Sequence, residues 1–366
     1  MSRVCVVSHR LGGFDGVSVE AAKWADAFAV LGWDVTLAAG HFASGTGVVV
    51  RGMWADRPGG DPPPVDHALI AELCATHDLV VLDNAGSLWS APEAAVAWEE
   101  HALTAGVPVI LRHHDPAWQR VQLRPVDGDV VPLHHPAHLH VLINSVTERE
   151  FLARWPRLHT RVVHNRVDVA GLARGDRAGT RAALGVADDD YLVVHPARVE
   201  GTSKNIPGAV DFVRRLSARR PGVRYWLTDD APCAAVEGLP GVVRGRVAGQ
   251  ADLYAAADLV LLPSTWEGWG LPVCEAAAAR KPVVAGPYPV LDEIRGLGLT
   301  VIDPSDLDGL LAVTDDMLDA NVRAVQRHLD LRGLPPVLAR LAGDAAALST
   351  GPGTPAAATS PATAPE

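Results

Sequence analysis

Residues 261–275 read Leu-Leu-Pro-Ser-Thr-Trp-Glu-Gly-Trp-Gly-Leu-Pro-Val-Cys-Glu, and this stretch decides the fold class. An apolar run of strand length, Leu259 to Leu262, passes into a loop with two glycines. Pro272 suits the first turn of a helix, where its missing N–H is not needed, so we expect a helix to begin near Leu271. A buried strand, a Gly-rich loop and a helix in this order predict an α/β fold. The loop backbone can approach a ligand closely, and the helix start favours an anion such as a diphosphate.

Apolar runs of strand length alternate with amphipathic stretches on both sides of this segment. The runs in the first half are Val4 to Ser8, Val35 to Ala38, Leu79 to Leu82, Val107 to Leu111 and Val141 to Ile143. Those in the second half are Tyr191 to Val194, Val223 to Leu227, Val242 to Val243, Leu259 to Leu262, Pro282 to Ala285 and Thr300 to Ile302. Continuous Val/Leu runs interleaved with helices, such as Val19 to Leu31 and Ile206 to Ala218, indicate parallel strands covered on both faces. We therefore predict doubly wound α/β sheets.

The series of strands and helices restarts after a charged, weakly apolar stretch, and the chain of 366 residues has room for two domains. We predict one α/β domain over residues 1–167 and a second over 168–348. Residues 349–366 are almost wholly Gly, Pro, Ala, Ser and Thr, with no large apolar side chain to bury, so a disordered tail is expected there.

Composition limits the partners and the compartment. The net charge of -11 and the pI near 5.7 give no basic footprint for nucleic acid. The N-terminal apolar run is too short for a secretory signal, and no later run is long enough to span a bilayer, which predicts a cytoplasmic protein. The cysteines Cys5, Cys74, Cys233 and Cys274 are too far apart for a CxxC zinc site and are interpreted as buried apolar groups.

Two glutamates, Glu267 and Glu275, bracket the glycines of the decisive segment. We expect Glu275 in the first helical turn, where its two acceptor oxygens suit a pair of sugar hydroxyls. A helix dipole alone favours an acid in the first turn, which is a structural explanation for that one residue. It does not explain why a second glutamate stands eight positions earlier.

The segment Glu267-Gly-Trp-Gly-Leu-Pro-Val-Cys-Glu275 resembles the Glu-x7-Glu signature of the retaining GT-B glycosyltransferases of family 4. That resemblance implies two Rossmann-like domains facing each other across a cleft. It also implies that Glu275 binds the nucleotide ribose, that Glu267 contacts the donor sugar, and that the loop amides hold sugar and phosphate. The loop residues concerned are Gly268, Trp269, Gly270 and Leu271.

Further segments extend the resemblance over nearly all of the chain before the tail. Arg198 and Lys204 match the family's cations for the diphosphate, a role that the chemistry needs because charge builds on the leaving group. Gly12 and Gly13, between the first strand and helix, match the family's Gly-rich loop beside donor phosphate and acceptor. In Val163-His-Asn-Arg-Val-Asp168, Arg166 replaces the usual glycine, and Leu227-Thr-Asp-Asp-Ala-Pro232 departs from the family's Gly-rich turn at the nucleotide.

Histidines follow a strand of the first domain, where ligands of open α/β sheets gather. By the resemblance, His114, with His113 as the next choice, approaches the donor sugar; capping of a loop carbonyl is the structural alternative. Trp118 offers either a stacking face for a sugar or a buried anchor. His134, His135, His138 and His140 raise a metal hypothesis, against which stands the lack of an acidic or Cys partner, so no metal site is predicted. Ser145-Val-Thr-Glu148 predicts a capping box.

The resemblance implies a metal-independent, retaining transfer of a sugar from a UDP- or GDP-linked donor to the hydroxyl of a small or saccharide acceptor. No cofactor is expected beyond the nucleotide sugar. A nucleotide-sugar epimerase or sugar-phosphate synthase of the same fold, and a non-catalytic nucleotide-sugar-binding protein, are the alternatives. The residues do not distinguish the nucleotide base, the sugar, the acceptor or the oligomeric state.

Overall fold

The computed structural model describes residues 1–13, 15–53, 63–88, 90–119, 131–199, 203–247 and 249–350. Of the tail predicted to be disordered, residues 351–366 lie outside these ranges. The contacts divide the chain into two units. The first comprises residues 1–142, 147–162 and 335 onward, and the second comprises 143–146 and 163–334.

The first unit contains a seven-stranded parallel sheet in the order β3-β2-β1-β4-β5-β6-β7. Its strands are β1 (Arg3–Leu11), β2 (Asp34–Phe42), β3 (Val48–Val49), β4 (Leu79–Asp83), β5 (Val109–His113), β6 (Leu139–Leu142) and β7 (His159–Val162). The chain order reverses between β1 and β4, which is the arrangement of a doubly wound sheet. The parallel sheet predicted for the first half is confirmed.

Helices of the first half begin at identifiable signals. They are α1 (Gly16–Val30), α2 (His67–Thr76), α3 (Pro92–Ala105) and α4 (Ser145–Arg154). The side chains of Asp15 and Asp66 cap α1 and α2 by accepting from backbone N–H groups. Pro92 occupies the first turn of α3, and Gly106 ends that helix with φ +67°. Helix α4 starts in the second unit and continues in the first.

The second unit contains a five-stranded parallel sheet in the order β10-β9-β8-β11-β12. Its strands are β8 (Tyr191–His195), β9 (Val223–Leu227), β10 (Val242–Arg244), β11 (Leu259–Leu262) and β12 (Val283–Ala285). All of these runs were predicted as strands. The predicted run Thr300 to Ile302 forms only an isolated bridge, between Ile302 and Val284.

Helices cover both faces of this second sheet. They are α5 (Val169–Leu172), α6 (Arg177–Ala183), α7 (Ile206–Ser217), α8 (Gln250–Ala256), α9 (Leu271–Ala278), α10 (Leu291–Gly296), α11 (Leu307–Leu311) and α12 (Asp315–His328). Alternate residues of each strand enter two separate cores. Leu192 and Val194 of β8 pack with α9 on one side, whereas Val193 packs with α7 on the other. Burial on both faces explains why these strands read as continuous apolar runs.

The last helix, α13 (Leu334–Ser349), groups with the first unit from residue 335 onward, whereas the sequence boundaries counted it with the second half. An ion pair of 2.9 Å joins Asp344 of this helix to Arg161 of β7. Among the described residues, no helix is long and apolar enough to cross a membrane.

Candidate functional site

The predicted site residues of the second unit follow the carboxyl ends of β8 and β11. These adjacent parallel strands lie where the order of the sheet reverses, which is the edge at which open α/β sheets bind their ligands. The loop after β11, residues 263–270, is called the glycine loop below. The backbone N–H of Thr265 donates to the carbonyl of Ser203 at 2.9 Å, so the two loops are joined directly.

Lys204 and Glu267 form an ion pair across these two loops. The Nζ atom lies 2.6 Å from Oε1, and both side chains are largely withdrawn from solvent. Next to Lys204, Asn205 has φ +47°, caps α7 through Gly208 N–H and donates its amide to the carbonyl of Pro263 at 3.1 Å. Two residues predicted separately from the sequence are therefore held together by the local backbone.

A neutral histidine lies near this cation. Burial, with the charge of Lys204 as the second cause, lowers the pKa of His195 to about 3. Its Nδ1 atom lies 2.8 Å from the hydroxyl of Tyr225. The imidazole therefore adds no positive charge beside Lys204.

Glu275 lies in the second turn of α9, so the prediction that it stands in the first turn was wrong. The helix does begin at Leu271, as predicted, but the side chain is buried and faces α8. Its two oxygens accept hydrogen bonds of 2.7 Å from Gln250 Nε2 and from the hydroxyl of Tyr254. Burial raises the pKa of Tyr254, and the charge of Glu275 raises it further, so Tyr254 remains a donor. The carboxylate is thus fixed in orientation by two side chains that the sequence analysis did not identify.

The glycine loop is shaped by its last residue. Gly270 precedes α9 with φ +93°, and a Cβ at this position would overlap the hydroxyl of Tyr288. Both the backbone conformation and the lack of space therefore require glycine. Earlier in the loop, the carbonyl of Gly268 accepts from Asn144 Nδ2 at 2.8 Å, and the buried ring of Trp269 stacks on His164.

Arg198 is exposed in the loop after β8. The adjacent N–H of Val199 donates to Asp229 Oδ2 at 2.8 Å, which tethers this loop to the turn after β9. That hydrogen bond, followed by those from Ala231 and Arg246, lowers the pKa of Asp229 although partial burial opposes it. Asp229 is therefore an ionised carboxylate that organises the turn after β9, the turn that differs from the family's Gly-rich one. The assignment of Arg198 to a diphosphate remains a prediction.

In the first unit, His114 follows β5 and is paired with a buried carboxylate. Its Nε2 lies 2.7 Å from Asp83 Oδ1, and its backbone N–H donates to Asn84, which has φ +62°. His113 is fully buried and stacks on His140, and its Nδ1 atom lies 2.8 Å from the hydroxyl oxygen of Ser87. Burial lowers the pKa of His113 well below its usual value. Of the two candidates, His113 is part of the core.

A buried row of alternating charges lies behind His114. Asp83 accepts from Arg112 at 3.2 Å, Arg112 pairs with Glu20 at 2.8 Å, and Glu20 pairs with Lys23 at 2.6 Å. Burial alone would raise the pKa of Asp83, but Arg112 and His114 lower it below its usual value. Because each charge has an opposite neighbour, the row can remain ionised out of water.

Gly12 and Gly13 form the turn between β1 and α1. Gly12 has φ +72°, and a Cβ there would overlap the backbone of Ser44, while a Cβ on Gly13 would meet Asp15 at 2.8 Å. Close packing against the backbone therefore accounts for Gly12, whereas the atoms nearest to a Cβ on Gly13 are side-chain oxygens. The role of both glycines beside a ligand remains a prediction.

Several other sequence interpretations are decided by the contacts. Trp118 is the buried anchor and not a sugar-stacking face, because it donates to Glu150 at 2.7 Å and packs on Phe151. The prediction of a capping box between Ser145 and Glu148 was wrong. Ser145 donates its backbone N–H and its hydroxyl to Glu293, and the carboxylate of Glu148 accepts from the hydroxyl of Thr160. Arg166 has no positive φ, so the usual glycine is not needed, and its guanidinium donates to the His328 carbonyl at 2.8 Å.

The histidine cluster is spread over separate contacts. His134 stacks on Trp155, His135 packs against His138, and His140 stacks on His113. Within the described ranges, no three His, Cys, Asp or Glu side chains come together in a way that could hold a metal ion. The cysteines are free; Cys5, Cys74 and Cys274 are buried as predicted, whereas Cys233 is partly exposed.

Comparison with known proteins relates these features to a family. Residues 190–330 match the family model described as "Glycosyl transferases group 1". The chain is 25% identical to mannosylglucosylglycerate synthase of Thermotoga maritima, over 89% of this chain and 91% of that protein. It is 35% identical to D-inositol 3-phosphate glycosyltransferase of Mycobacterium tuberculosis, over 37% of this chain and 32% of that protein.

Solved structures share the fold along nearly the whole chain. Anabaena Alr3699/HepE, in a complex with UDP and glucose, superimposes with a TM-score of 0.69 at 17% identity, over 93% of this chain and 99% of that chain. Sucrose-phosphate synthase of Thermosynechococcus elongatus gives a TM-score of 0.67 at 15% identity, over 94% and 99% of the two chains. The fold is therefore the GT-B fold of two Rossmann-like domains, as predicted.

Proposed function

We propose that this chain, whose residues 190–330 match the family model of the group 1 glycosyl transferases, is a retaining glycosyltransferase that uses a UDP- or GDP-linked sugar without a metal. The observation that carries the proposal is the pair Lys204–Glu267 at the carboxyl edge of the second sheet, with an Nζ to Oε1 distance of 2.6 Å. A cation and a carboxylate held together at this edge suit a donor that is anionic at its diphosphate and rich in hydroxyls at its sugar.

Each residue has a distinct role in the proposal. Lys204 and Arg198 neutralise the diphosphate as the bond from the anomeric carbon to the phosphate oxygen breaks. Glu267 orients the donor sugar, and Glu275, fixed by Gln250 and Tyr254, accepts from the ribose hydroxyls. The N–H groups at the start of α9 supply further donors for the phosphate. In the first unit, Gly12 and Gly13 contribute loop amides, and His114 contributes an imidazole fixed by Asp83.

The proposed chemistry proceeds on one face of the sugar. The acceptor oxygen bonds to the anomeric carbon on the face from which the diphosphate departs, and the acceptor proton passes to the leaving phosphate oxygen. The products are a glycoside of unchanged anomeric configuration and a nucleoside diphosphate. Fixed cations at the phosphate allow charge to develop there without a metal ion.

The acceptor is proposed to be a small hydroxylated molecule. One relative is named for a glycerate glycoside and another for inositol 3-phosphate. A sugar phosphate is a second candidate, because a protein named sucrose-phosphate synthase shares the fold. Acceptor screens should therefore compare neutral polyols, glycerate glycosides and phosphorylated sugars.

The test is a binding and turnover screen in the presence of EDTA. Wild type is heated with UDP-, GDP- and ADP-sugars and compared with Glu275→Ala, Lys204→Ala and the exposed control Arg219→Ala. A donor at 100 times its Kd stabilises the wild type by about 2.7 kcal/mol, and both site variants should lose this shift while the control keeps it. Slow release of nucleoside diphosphate supports turnover of the donor. An α-linked product from an α-linked donor supports retention. The proposal fails if no nucleotide sugar shifts the wild type, or if the site variants respond as it does.

A further inference from the structure

Glu293 of α10 connects two segments that are distant in sequence. Its carboxylate accepts from the backbone N–H of Ser145 at 2.9 and 3.0 Å and from the Ser145 hydroxyl at 2.8 Å. Its Oε1 atom also lies 2.7 Å from Nε2 of His164. Because an ionised carboxylate can only accept, this contact requires the proton of His164 to be on Nε2.

Each of these two segments contacts the glycine loop. The residue before Ser145 is Asn144, which is buried and donates from Nδ2 to the carbonyl of Gly268 at 2.8 Å. The ring of His164 lies nearly parallel to that of Trp269, with a centroid distance of 4.4 Å and an angle of 14°. Two successive loop residues, both directly after Glu267, are therefore held by neighbours of Glu293.

The ring of Trp269 depends on packing for its position. The side chain is 2% exposed, and its indole nitrogen has no hydrogen-bond partner among the described residues. The imidazole face is thus one of the surfaces that fix the ring, and the hydrogen bond to Glu293 fixes the imidazole. Removal of the carboxylate would free His164 to turn and would remove the hydrogen bonds that Ser145 donates to Glu293.

We propose that Glu293 is a positioning residue for Glu267, acting through His164 and Trp269 on one side and through Asn144 and Gly268 on the other. The inference rests on the proposed function, because it assigns these contacts to the sugar side of the donor. The ribose side has a separate support, since Glu275 is held by Gln250 and Tyr254. Damage at Glu293 therefore weakens recognition of the sugar and spares recognition of the nucleotide.

The experiment measures two affinities by calorimetry for each variant. The ligands are a nucleoside diphosphate and its sugar conjugate, either UDP with UDP-glucose or GDP with GDP-mannose, whichever pair binds the wild type. The variants are Glu293→Ala, Glu293→Gln, Asn144→Ala, His164→Ala and His164→Phe. The matched control is Asp292→Ala, because Asp292 is the adjacent acid of the same helix and its side chain is 91% exposed.

For Glu293→Ala and His164→Ala we expect the affinity for the nucleotide sugar to fall on the order of tenfold. This is the effect of losing one charge-assisted hydrogen bond between a displaced Glu267 and the sugar. The affinity for the nucleoside diphosphate should stay within about twofold, and Asp292→Ala should leave both unchanged. His164→Phe keeps a ring against Trp269, so it should retain more sugar affinity than His164→Ala. Glu293→Gln keeps an acceptor oxygen, so its affinity for the nucleotide sugar should lie between those of the wild type and Glu293→Ala.

Two failures are distinguishable. If the wild type binds neither ligand pair, the proposed function fails and this inference fails with it. If the wild type binds, and Glu293→Ala weakens both ligands equally or neither, only the positioning role is overturned. Should Glu293→Ala not fold, His164→Phe and His164→Ala are compared instead. For each variant we take the ratio of the affinity for the nucleotide sugar to the affinity for the nucleoside diphosphate. Equal ratios in the two variants would contradict the role of the ring contact between residue 164 and Trp269.

Discussion

Nζ of Lys204 lies 2.6 Å from Oε1 of Glu267, although 63 positions separate the two residues in the chain. The contact arises because β8 and β11 are adjacent parallel strands whose following loops leave the same edge of the sheet. Each residue supplies the counter-charge of the other before an anionic ligand enters. In the proposed function, a diphosphate would replace Glu267 as the partner of Lys204, and Glu267 would then accept hydrogen bonds from sugar hydroxyls.

If Lys204 neutralises the leaving diphosphate as proposed, Lys204→Ala should lower kcat on the order of 10²-fold, because a fixed cation is then lost where charge develops. Lys204→Arg keeps the charge but changes its geometry, so we expect a smaller loss. Steady-state release of nucleoside diphosphate measures both. Arg219→Ala is the control, since Arg219 pairs at the surface with Asp308, whose side chain is 84% exposed. Unchanged kcat in Lys204→Ala would contradict the assignment of this lysine.

Tyr254→Phe should destabilise the protein by about 1–3 kcal/mol, because Glu275 stays buried with one hydrogen-bond donor fewer. Affinity for a nucleoside diphosphate should fall as well, since the carboxylate then loses one of the two hydrogen bonds that orient it, while that from Gln250 remains. Urea unfolding and calorimetry with UDP and GDP measure the two effects. Tyr191→Phe serves as the control, because the contact of Tyr191 with Arg220 is made by the ring, 4.1 Å from the guanidinium carbon. A stable variant with wild-type affinity would show that the tyrosine hydroxyl is dispensable.

The strands and the Glu-x7-Glu segment could be predicted from sequence because their signals are local. Strands buried on both faces leave continuous apolar runs, and Gly270 and Pro272 mark a loop and a helix start within a few residues. The same locality explains the errors. Ser145 and Glu148 have the spacing of a capping box, but Glu293, 148 positions from Ser145, occupies the position of the acceptor.

The side chains that orient the site had no such local signal. Gln250 and Tyr254 reach Glu275 from the preceding helix, and Asn144 and His164 reach the glycine loop from distant segments. Their contacts depend on the packing of α8 on α9 and on where the chain returns to the second unit. The turn of α9 that carries Glu275 was also mispredicted, since counting from Leu271 puts the fifth residue of the helix beyond its first turn.

Stability should depend on the pH through Asp83. Its pKa in the folded protein lies below the usual value of 3.8, against the effect of burial, because Arg112 and His114 favour the charged form. A carboxyl with a depressed pKa contributes its full stabilisation above the unfolded-state value, and the contribution is lost as the pH falls through the folded-state value. Asp83→Asn should therefore cost about 3 kcal/mol near pH 7, because the buried guanidinium of Arg112 loses the charge of one of its acceptors and His114 loses an ionised hydrogen-bond partner.

Urea unfolding between pH 3 and pH 7 checks this sign. The difference in the free energy of unfolding between wild type and Asp83→Asn should narrow as the pH falls below 3.8, because the carboxylate of the wild type is then protonated and loses its charge. Asp26→Asn changes an exposed acid of α1 and should leave a small gap at every pH. A gap for Asp83→Asn that widens on acidification would contradict the ionised row of Lys23, Glu20, Arg112 and Asp83.

Gly270→Ala should destabilise the second unit for two separable reasons. The positive φ of +93° costs an L-residue about 1–2 kcal/mol, and the new methyl group would overlap the hydroxyl of Tyr288. Adding Tyr288→Phe removes the overlapping oxygen but leaves the backbone strain and a ring carbon 3.0 Å from the added Cβ, so the double variant should recover only part of the loss. Gly296→Ala is the matched control, because φ there is not positive and no atom lies within 4 Å of an added Cβ. Full recovery in the double variant would mean that the backbone of residue 270 tolerates a side chain, and that the hydroxyl alone selects glycine before α9.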